Sequence, residues 1–551
     1  MRAVDAGKPA PMLPAAAVAA INDLKEADIV IGIPSYNNAR TIGHVVRAAV
    51  AGLQKYFPQN RSILINSDGG SKDGTAGAVL GVEAADPRLL LLNTPLSGVH
   101  RLSFPYHGVP GKGSAFRMIF QMASDLNARA CCVVDSDLRS ITPEWIDLLV
   151  RPVLHSDFDF VAPYYHRHKY DGTITNSIIY PLTRALYGQR IRQPIGGDFG
   201  LSTAMVRRYL QHEDWESDVA RFGIDIWMTT TAVAENFRVC QAFLGAKLHD
   251  AKDPGADLPA MLQQVLSSVF ALTARYEPAW RERTGSQACE LFGFRYDVGL
   301  EPIAVNVERM LGAFAKGWED LRDVWKIALS AATMRALGGL AEAAREPGAG
   351  ERFHMDDGLW AGLVYEFAAA WRREPVERGH MTRSFTPLYL GRVASWVIET
   401  KPLDAEAVEE RMERLCRTFE EMKPYLVELW ENPKAPHPGE RAASAQEVSH
   451  AGDDSRDSAT DVVATVRRAD ALSAAVVCGG VAAGGGVGGG ACGPVRGAAT
   501  GAGIGGGPVL EAHGVVEPVT SGRGVAHGAA GGAGGVLAGV AGRGAVGDQR
   551  V

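Results

Sequence analysis

The strongest local candidate for chemistry is a pair of carboxylates in residues 133–137 (VVDSD), where an apolar run ends in Asp135 and Asp137. If this run is a strand of an α/β sheet, both side chains lie at its carboxyl end, beside the crevice in which such sheets bind ligands. Two nearby carboxylates supply the hard oxygen ligands that suit Mg²⁺ or Mn²⁺ bridging a diphosphate. The alternative is a strand followed by a solvated acidic turn.

A glycine-rich turn with a lysine, residues 108–113 (GVPGKG), precedes a helix that the sequence predicts over residues 114–126. Glycine turns, a helix N-terminus and the Lys112 ammonium group all favour phosphate. The spacing does not fit a Walker sequence, so an ordinary glycine turn is the alternative.

A second glycine-containing loop, residues 66–75 (NSDGGSKDGT), follows another apolar run. Its glycines permit the backbone to approach a flat ring closely. Asp68 is able to accept a hydrogen bond from a uracil or guanine N–H group. The alternative is a plain Asx/Gly turn between a strand and a helix.

Three later positions complete the set of candidates. Residues 193–198 (QPIGGD) place paired glycines in a loop, and Asp225 stands in the first turn of a predicted helix. An acid there is ordinary capping chemistry, or it binds sugar hydroxyls. His249 follows a predicted strand at 239–244 and is a candidate metal ligand through its neutral imidazole, with a plain surface or core histidine as the alternative.

These candidates stand at the ends of elements that alternate between strand and helix from about residue 28 to residue 248. Short apolar runs predict strands at residues 29–33, 62–66, 89–92, 130–134 and 158–163. Helices are predicted at 41–56 and at 143–150, the second with Thr142 at its N-cap and Pro143 in its first position. The alternation predicts an α/β layer fold with a mostly parallel central sheet.

The composition changes twice after this α/β part. Beyond about residue 275 the strand signals stop, and helical patterns follow at 302–325, 359–372 and 405–422. From residue 442 the chain is first acidic and Ser-rich, then dominated by Gly, Ala and Val, which bury too little apolar surface to offset ordering entropy. We therefore predict an N-terminal extension (1–27), a catalytic domain (28–275), a helical accessory region (276–441) and a disordered tail (442–551).

Composition also limits the partners of the chain. A net charge of -7 over 551 residues provides no basic field for a phosphate backbone, which argues against nucleic acid. No secretory signal is recognised, and the longest uncharged run, 471–495, is mostly Gly and Ala, so we expect a cytoplasmic protein without a membrane partner. The seven cysteines, an odd number, are expected to be reduced and structural.

Seven motifs, taken in order, carry a family resemblance. They are PSY at 34–36, DGGS at 68–71, PGKG at 110–113, DSD at 135–137, QPIGG at 193–197, GID at 223–225 and KLH at 247–249. The set spans about residues 28–276 and resembles the retaining glycosyltransferases that make glucosylglycerate, mannosylglycerate and glucosyl-3-phosphoglycerate. This resemblance implies a GT-A (nucleotide-diphospho-sugar transferase) fold and a metal-dependent hexosyltransferase that makes a compatible solute.

The resemblance also implies a role for each candidate residue. The nucleotide sugar would be bound by Pro34, Tyr36, Asn38, Asp68, Lys112, Asp135, Ser136, Gly196 and Gly197. Asp137 and His249 would hold a divalent cation, Mg²⁺ or Mn²⁺, and Asp225 would approach the donor sugar and the acceptor. Arg167 and Thr175, in the basic segment 164–175, would bind the acceptor carboxylate, since a guanidinium fork matches a carboxylate bidentately. A solvated basic loop is the alternative.

Departures from the family pattern bear on the substrates. The family usually has Glu where this chain has Asp198. It also usually has an acidic residue near the position that Asn38 occupies in this chain. Residues 250–257 (DAKDPGAD) are acidic where phosphoglycerate-using relatives are Arg-rich, which favours D-glycerate over 3-phosphoglycerate. The sequence leaves open glucose or mannose, a uridine, guanosine or adenosine donor, and whether the chain forms a homodimer.

Three rival functions remain at this point. A sugar-nucleotide pyrophosphorylase combines a similar fold, glycine loop, lysine and acidic metal site. A non-catalytic nucleotide-sugar sensor would signal through the helical region, including residues 386–392 (TPLYLGR). An inverting transferase for polyprenyl phosphate would usually bring a membrane anchor.

Overall fold

The centre of the protein is an eight-stranded sheet. The computed structural model describes residues 13–82, 99–106, 110–248, 258–296, 299–300 and 302–438. Its strands are β1 (Ile29–Ser35), β2 (Ser62–Asp68), β3 (His100–Pro105), β4 (Ala130–Val133), β5 (Phe160–His166), β6 (Gln189–Arg190), β7 (Phe199–Ser202), β8 (Val239–Ala246), β9 (Gln287–Ala288) and β10 (Leu291–Phe292). Strands β6 and β9 pair separately, and the other eight lie in the order β10-β8-β5-β7-β4-β1-β2-β3.

All pairings in the large sheet are parallel except those of β7, which runs antiparallel to both of its neighbours. Strands β4 and β5, on the two sides of β7, therefore point the same way. The carboxyl ends of β1, β2, β4, β5 and β8 consequently meet at one edge. This arrangement confirms the predicted α/β layer fold with a mostly parallel central sheet.

Helices cover both faces of the sheet. In the first part of the chain they are α1 (Ala15–Leu24), α2 (Ile42–Tyr56), α3 (Thr75–Leu80), α4 (Lys112–Asp125), α5 (Pro143–His155), α6 (Tyr180–Tyr187), α7 (Thr203–Leu210) and α8 (Ile224–Ala234). Alternation along β1 shows the two layers: Ile29, Ile31 and Ile33 join the core beneath α2 and α5, while Val30 points into the core that contains α4.

The C-terminal region is helical, as predicted. Its helices are α9 (Leu258–Arg275), α10 (Glu277–Trp280), α11 (Val307–Ala328), α12 (Ala331–Ala343), α13 (Ala349–Arg352), α14 (Asp357–Arg373), α15 (Arg378–Ser384), α16 (Thr386–Thr400) and α17 (Ala405–Glu431). Helix α17 packs on α6 and α14, and α16 packs on α11. One buried core continues from the sheet into this region. No helix within the described ranges is long and apolar enough to cross a membrane.

Several sequence expectations differ from the structure at their edges. Strands do not stop at residue 275, because β9 and β10 follow it; each has only two residues, too few to show a periodic signal. The helix predicted from residue 114 begins at Lys112. Thr142 and Pro143 do open α5, but the Thr142 side chain makes no capping hydrogen bond. The predicted strand at 89–92 and the tail predicted to be disordered at 442–551 lie outside the described residues. The domain boundaries stay predictions.

Candidate active site

Polar side chains from distant parts of the chain meet at the carboxyl edge of the sheet. Asp68 ends β2, Asp135 comes two residues after β4, and Lys247 directly follows β8. Helices α4 and α8 begin beside this edge, with Lys112 as the first residue of α4 and Asp225 as the second residue of α8. The sheet edge and two helix N-termini therefore enclose one crevice, where open α/β sheets bind ligands.

Lys112 links the two acidic motifs of this crevice. Its Nζ atom lies 2.8 Å from Asp135 Oδ1 and 3.2 Å from Asp225 Oδ1. The three side chains keep 17%, 22% and 13% of their surface exposed, so a ligand is able to reach them. The structure therefore brings together three candidates that the sequence placed in separate motifs.

Glycines set the position of Lys112. A Cβ atom at Gly113 would lie 1.8 Å from the Val219 carbonyl oxygen, and one at Gly111 would lie 2.3 Å from that of Ala220. The start of α4 therefore packs directly on the backbone of the 3₁₀ turn at Asp218–Ala220, which leads to α8 and Asp225. These glycines are required for close backbone approach, beyond any role in a turn.

A second lysine holds Asp135 from the other side. Lys247 Nζ lies 2.7 Å from Asp135 Oδ2, 2.8 Å from Asp198 Oδ2 and 2.7 Å from the Gly196 carbonyl oxygen. The fully buried Asp198 also accepts hydrogen bonds from the Asp135 backbone N–H, at 2.8 Å, and from the Tyr165 hydroxyl. Both oxygens and the backbone of Asp135 are thus fixed in place.

Burial and the neighbouring charges act in opposite directions on this cluster. Burial disfavours the ionised form of Asp135, but the ammonium groups of Lys112 and Lys247 hold its pKa far below the usual range. Burial likewise opposes the charge on both lysines, yet the facing carboxylates raise the pKa of each. For Asp198 and Asp225 burial prevails, and their pKa values lie above the usual range for aspartate. Asp135 and the two ammonium groups therefore stay charged at neutral pH.

The paired glycines line the same cluster. Gly197 has φ +90°, and a Cβ atom there would lie 2.3 Å from Asp135 Oδ2 and 3.0 Å from Lys247 Nζ. At Gly196 a Cβ atom would lie 2.1 Å from Pro163 Cγ. The loop backbone therefore packs closely against Asp135. Gly197 has a backbone conformation that residues with a side chain rarely adopt.

The loop that follows β1 contacts the DSD motif at 135–137 through Asn38. Asn38 Oδ1 accepts hydrogen bonds from Ser136 Oγ and from the Tyr36 backbone N–H, each at 2.9 Å. Pro34 is buried in β1, whereas Tyr36 is 64% exposed. A Cβ atom at Gly69 would lie 3.0 Å from the Tyr36 ring, so Gly69 leaves room beside it. An exposed ring beside a glycine suits the predicted binding of a flat base.

The Asp68 carboxylate accepts hydrogen bonds from its own loop and from Ser35. Its Oδ1 atom accepts hydrogen bonds from Ser35 Oγ and Ser71 Oγ, and its Oδ2 atom from the backbone N–H groups of Gly70 and Ser71. Four hydrogen bonds use the acceptor capacity of a carboxylate. A base N–H would have to displace one of them, so the geometry favours the Asx-turn alternative, and direct base contact by Asp68 stays a prediction.

The predicted metal ligands lie partly outside the described residues. Asp137 is half-buried in the turn after β4, and His249 belongs to the segment 249–257, which the structure does not describe. The neighbouring Leu248 donates its N–H to Ser140 Oγ at 2.9 Å and accepts from the Arg139 N–H at 2.8 Å. Leu248, the last residue described before this segment, is therefore bound to the turn that follows Asp137.

A metal at this turn would need ligands beyond the described side chains. Within the described ranges no group of three or more His, Cys, Asp or Glu residues is arranged to hold an ion. One carboxylate, one imidazole and the oxygens of a diphosphate would be a suitable donor set for Mg²⁺ or Mn²⁺. The assignment of Asp137 and His249 as metal ligands stays a prediction.

Arg167, predicted with Thr175 to bind the acceptor, lies beside the charged cluster. The Arg167 guanidinium group is 5.2 Å from the centre of the Tyr165 ring, and Lys247 Nζ is 5.1 Å from the same centre. Arg167 lies 3.7 Å from the Asp171 carboxylate, while its Nε atom is buried and has no hydrogen-bond partner among the described residues. Thr175 is buried at the start of a π-helix, Thr175–Ile179. An unpaired guanidinium donor at this position suits an acidic ligand.

Sequence reasoning assigned no role to three residues of the cluster. Lys247 was part of a motif without a function, Asp198 was noted only as a departure from Glu, and Tyr165 was one residue of a basic segment. The position of Lys247 at the carboxyl end of a strand was the available signal, because parallel strand ends converge. Its pairing with Asp135 and Asp198 depends on tertiary packing.

Comparison with known proteins bears on the middle of the chain. Residues 84–271 match the family model described as mannosylglycerate synthase, GT domain. This match covers most of the predicted catalytic domain and confirms the resemblance found in the ordered motifs. No curated protein matches the sequence.

Solved structures that match part of this chain include glucosyl-3-phosphoglycerate synthases from Mycobacterium tuberculosis. The complex with Mn²⁺, UDP and glucosyl-3-phosphoglycerate is 19% identical, with 49% of this chain and 86% of that chain covered and a TM-score of 0.34. The complex with Mg²⁺ and UDP is also 19% identical, with 46% and 83% covered and a TM-score of 0.34. The complex with Mn²⁺, UDP-glucose and phosphoglyceric acid is 20% identical, with 46% and 84% covered and a TM-score of 0.33.

Proposed function

We propose that this chain, which carries a glycosyltransferase domain of the mannosylglycerate synthase type, transfers glucose or mannose from a nucleotide diphosphate sugar to D-glycerate. The reaction retains the α-configuration and depends on a divalent cation. The observation that carries the proposal is the convergence of Lys112, Asp135 and Asp225 in one crevice, since these residues come from three of the motifs behind the resemblance.

The donor diphosphate is assigned to the start of α4. Lys112 presents an ammonium group beside a helix N-terminus, and both favour phosphate oxygens. Lys112 is kept charged and oriented by Asp135 and Asp225, so little reorganisation is needed when negative charge develops on the leaving group. Asp137 and His249 would hold the Mg²⁺ or Mn²⁺ ion, which neutralises diphosphate charge when bound.

Asp225 and the glycine loop orient the sugar. Asp225 projects from the first turn of α8 into the crevice, and Gly196 and Gly197 bring backbone close to Asp135 without a side chain in the way. Arg167 and Thr175 bind the acceptor carboxylate. The acceptor hydroxyl attacks the anomeric carbon on the face from which the nucleoside diphosphate leaves, and its proton passes to the departing phosphate oxygen. No side-chain nucleophile is required.

The acceptor is assigned as D-glycerate, with 3-phosphoglycerate as the second candidate. The acidic residues 250–257 favour the first, because they would repel a phosphate group. Two of the matched solved structures contain phosphoglyceric acid or glucosyl-3-phosphoglycerate. The test therefore includes 3-phosphoglycerate.

The test is an incubation with a panel of UDP-, GDP- and ADP-sugars, Mg²⁺ or Mn²⁺, and either D-glycerate or 3-phosphoglycerate. We expect a product whose mass equals the acceptor plus one hexose residue, with release of nucleoside diphosphate. Release of pyrophosphate from a nucleoside triphosphate would instead identify a pyrophosphorylase, and binding without turnover would identify a sensor.

A further inference from the structure

The segment that carries Arg167 and Thr175 is attached on its far side to the C-terminal helices. We call residues 166–177 the acceptor segment. One side of it lies beside the charged cluster, because Arg167 contacts the ring of Tyr165. On the other side, polar groups of the segment bond to α14, to α16 and to the turn that follows α16. The segment thus lies between the crevice and the helical region.

Lys169 joins the segment to the end of α16. Its Nζ atom donates to three backbone carbonyl groups, those of Thr400 at 2.8 Å, Lys401 at 3.1 Å and Leu403 at 2.9 Å. The last carbonyls of a helix lack partners within the helix, and a cation there interacts favourably with the helix dipole. Lys169 therefore serves as a C-terminal cap that comes from another part of the chain.

Three buried aromatic residues of the helical region bond to the same segment. The Tyr389 hydroxyl lies 2.5 Å from Thr173 Oγ1. Trp396 Nε1 donates to the Lys169 carbonyl oxygen at 3.1 Å, and Trp360 Nε1 donates to that of Ser177 at 2.6 Å. All three rings are at least 95% buried, so their positions are set by helix packing.

We infer that Tyr389, Trp396 and Lys169 are positioning residues that fix Arg167 and Thr175 for the acceptor, an inference that rests on the proposed function. A surface segment is ordinarily mobile, and a binding group must be held within a fraction of an ångström of its productive position. The bonds at Lys169 and Thr173 fall between Arg167 and Thr175 in sequence, so they restrain the backbone that carries both groups. The helical region is thereby part of the acceptor site without touching the acceptor.

The test compares two buried tyrosines that each lose only a hydroxyl group. Tyr389→Phe removes the bond to Thr173, whereas Tyr365→Phe removes a bond of 2.6 Å to the Phe419 carbonyl oxygen within the helical region. Loss of one neutral hydrogen bond corresponds to a change of about 3- to 10-fold. We expect the KM for the acceptor to rise by that factor in Tyr389→Phe, with the KM for the nucleotide sugar unchanged, and neither KM to change in Tyr365→Phe.

Hydrogen exchange provides a readout that does not depend on the substrate. In Tyr389→Phe the amides of residues 166–177 should exchange faster than in the unmodified protein, while those of β1 and β2 exchange at the same rate. The inference is overturned if exchange in the segment is unchanged, if both KM values rise together, or if Tyr365→Phe has the same effect on the acceptor. If the unmodified protein glycosylates no acceptor, the proposed function fails, and the exchange measurement still decides whether Tyr389 fixes the segment.

Discussion

The Lys112 ammonium group lies 2.8 Å from Asp135 Oδ1, although Lys112 begins a helix and Asp135 follows a strand of the sheet. Asp135 is held on its other oxygen by Lys247, so a single carboxylate connects two lysines. Removing any one member leaves uncompensated charge in a largely buried cluster, so substitutions test the arrangement directly.

Lys247→Met should destabilise the protein strongly. The Lys247 side chain is 4% exposed, and its loss leaves the fully buried Asp198 without its cation, at a cost of about 3–5 kcal/mol. Chemical denaturation of the purified variant measures this change. Lys55→Met is the matched control, since the Lys55–Glu144 pair is exposed and surface pairs contribute little. Equal stability of the two variants would contradict the assignment of Lys247 to a buried ion pair.

Gly197→Ala should lower the transfer rate by about 100-fold. The added methyl group would meet Asp135 Oδ2 at 2.3 Å, and Asp135 cannot move without breaking its bonds to two lysines. A displacement of about 1 Å at a catalytic centre can cost about 100-fold in rate. Gly285→Ala is the control, because φ is +65° there but no atom lies within 4 Å of the added group. Similar rates for the two variants would show that backbone strain, and not contact with Asp135, matters at Gly197.

Asp225 should impose a pH dependence on both activity and stability. Burial raises its pKa, so kcat/KM should rise as the pH increases through that pKa and the carboxylate becomes able to accept hydrogen bonds from sugar hydroxyls. Ionising a group whose folded-state pKa is raised costs stability between its unfolded and folded pKa values. The stability of Asp225→Asn relative to the unmodified protein should therefore improve as the pH rises from about 4. A flat difference across this range would contradict the raised pKa.

Asp137→Ala should remove metal-dependent transfer. A bound cation stabilises the negative charge that develops on the leaving diphosphate by several kcal/mol. Loss of this stabilisation corresponds to a fall of about 1000-fold in kcat. The measurement is transfer rate against Mn²⁺ concentration. Asp125→Ala, at the exposed end of α4, is expected to behave as the unmodified protein. Full activity of Asp137→Ala at low Mn²⁺ would show that the cation is held elsewhere.

Much of the fold is readable from the sequence because its strands are buried on both faces. The runs around Ile31, Leu64 and Cys132 have apolar centres and are followed by polar loops, and the structure places β1, β2 and β4 there. By contrast, β10 has only two residues and lies at the edge of the sheet, where its backbone pairs with β8. A strand of two residues shows no periodic apolar pattern in the sequence.

The site was predictable only where a strand or helix end set the position of a residue. Asp135 and Asp225 are of this kind. The pairing of Lys247 with Asp198 and the contact of Tyr389 with the acceptor segment both join residues far apart in sequence. One sequence carries no record of which distant side chains meet, so these relationships depend on the packed structure.

The most direct test of the central claim is the binding of a nucleotide diphosphate sugar, measured by calorimetry in the presence of Mn²⁺. Lys112→Met should weaken this binding by about 10- to 100-fold, as expected for loss of a hydrogen bond between charged groups. Lys55→Met should bind as the unmodified protein does. An unchanged Kd in Lys112→Met would show that the donor diphosphate does not lie at the start of α4, and would contradict the account.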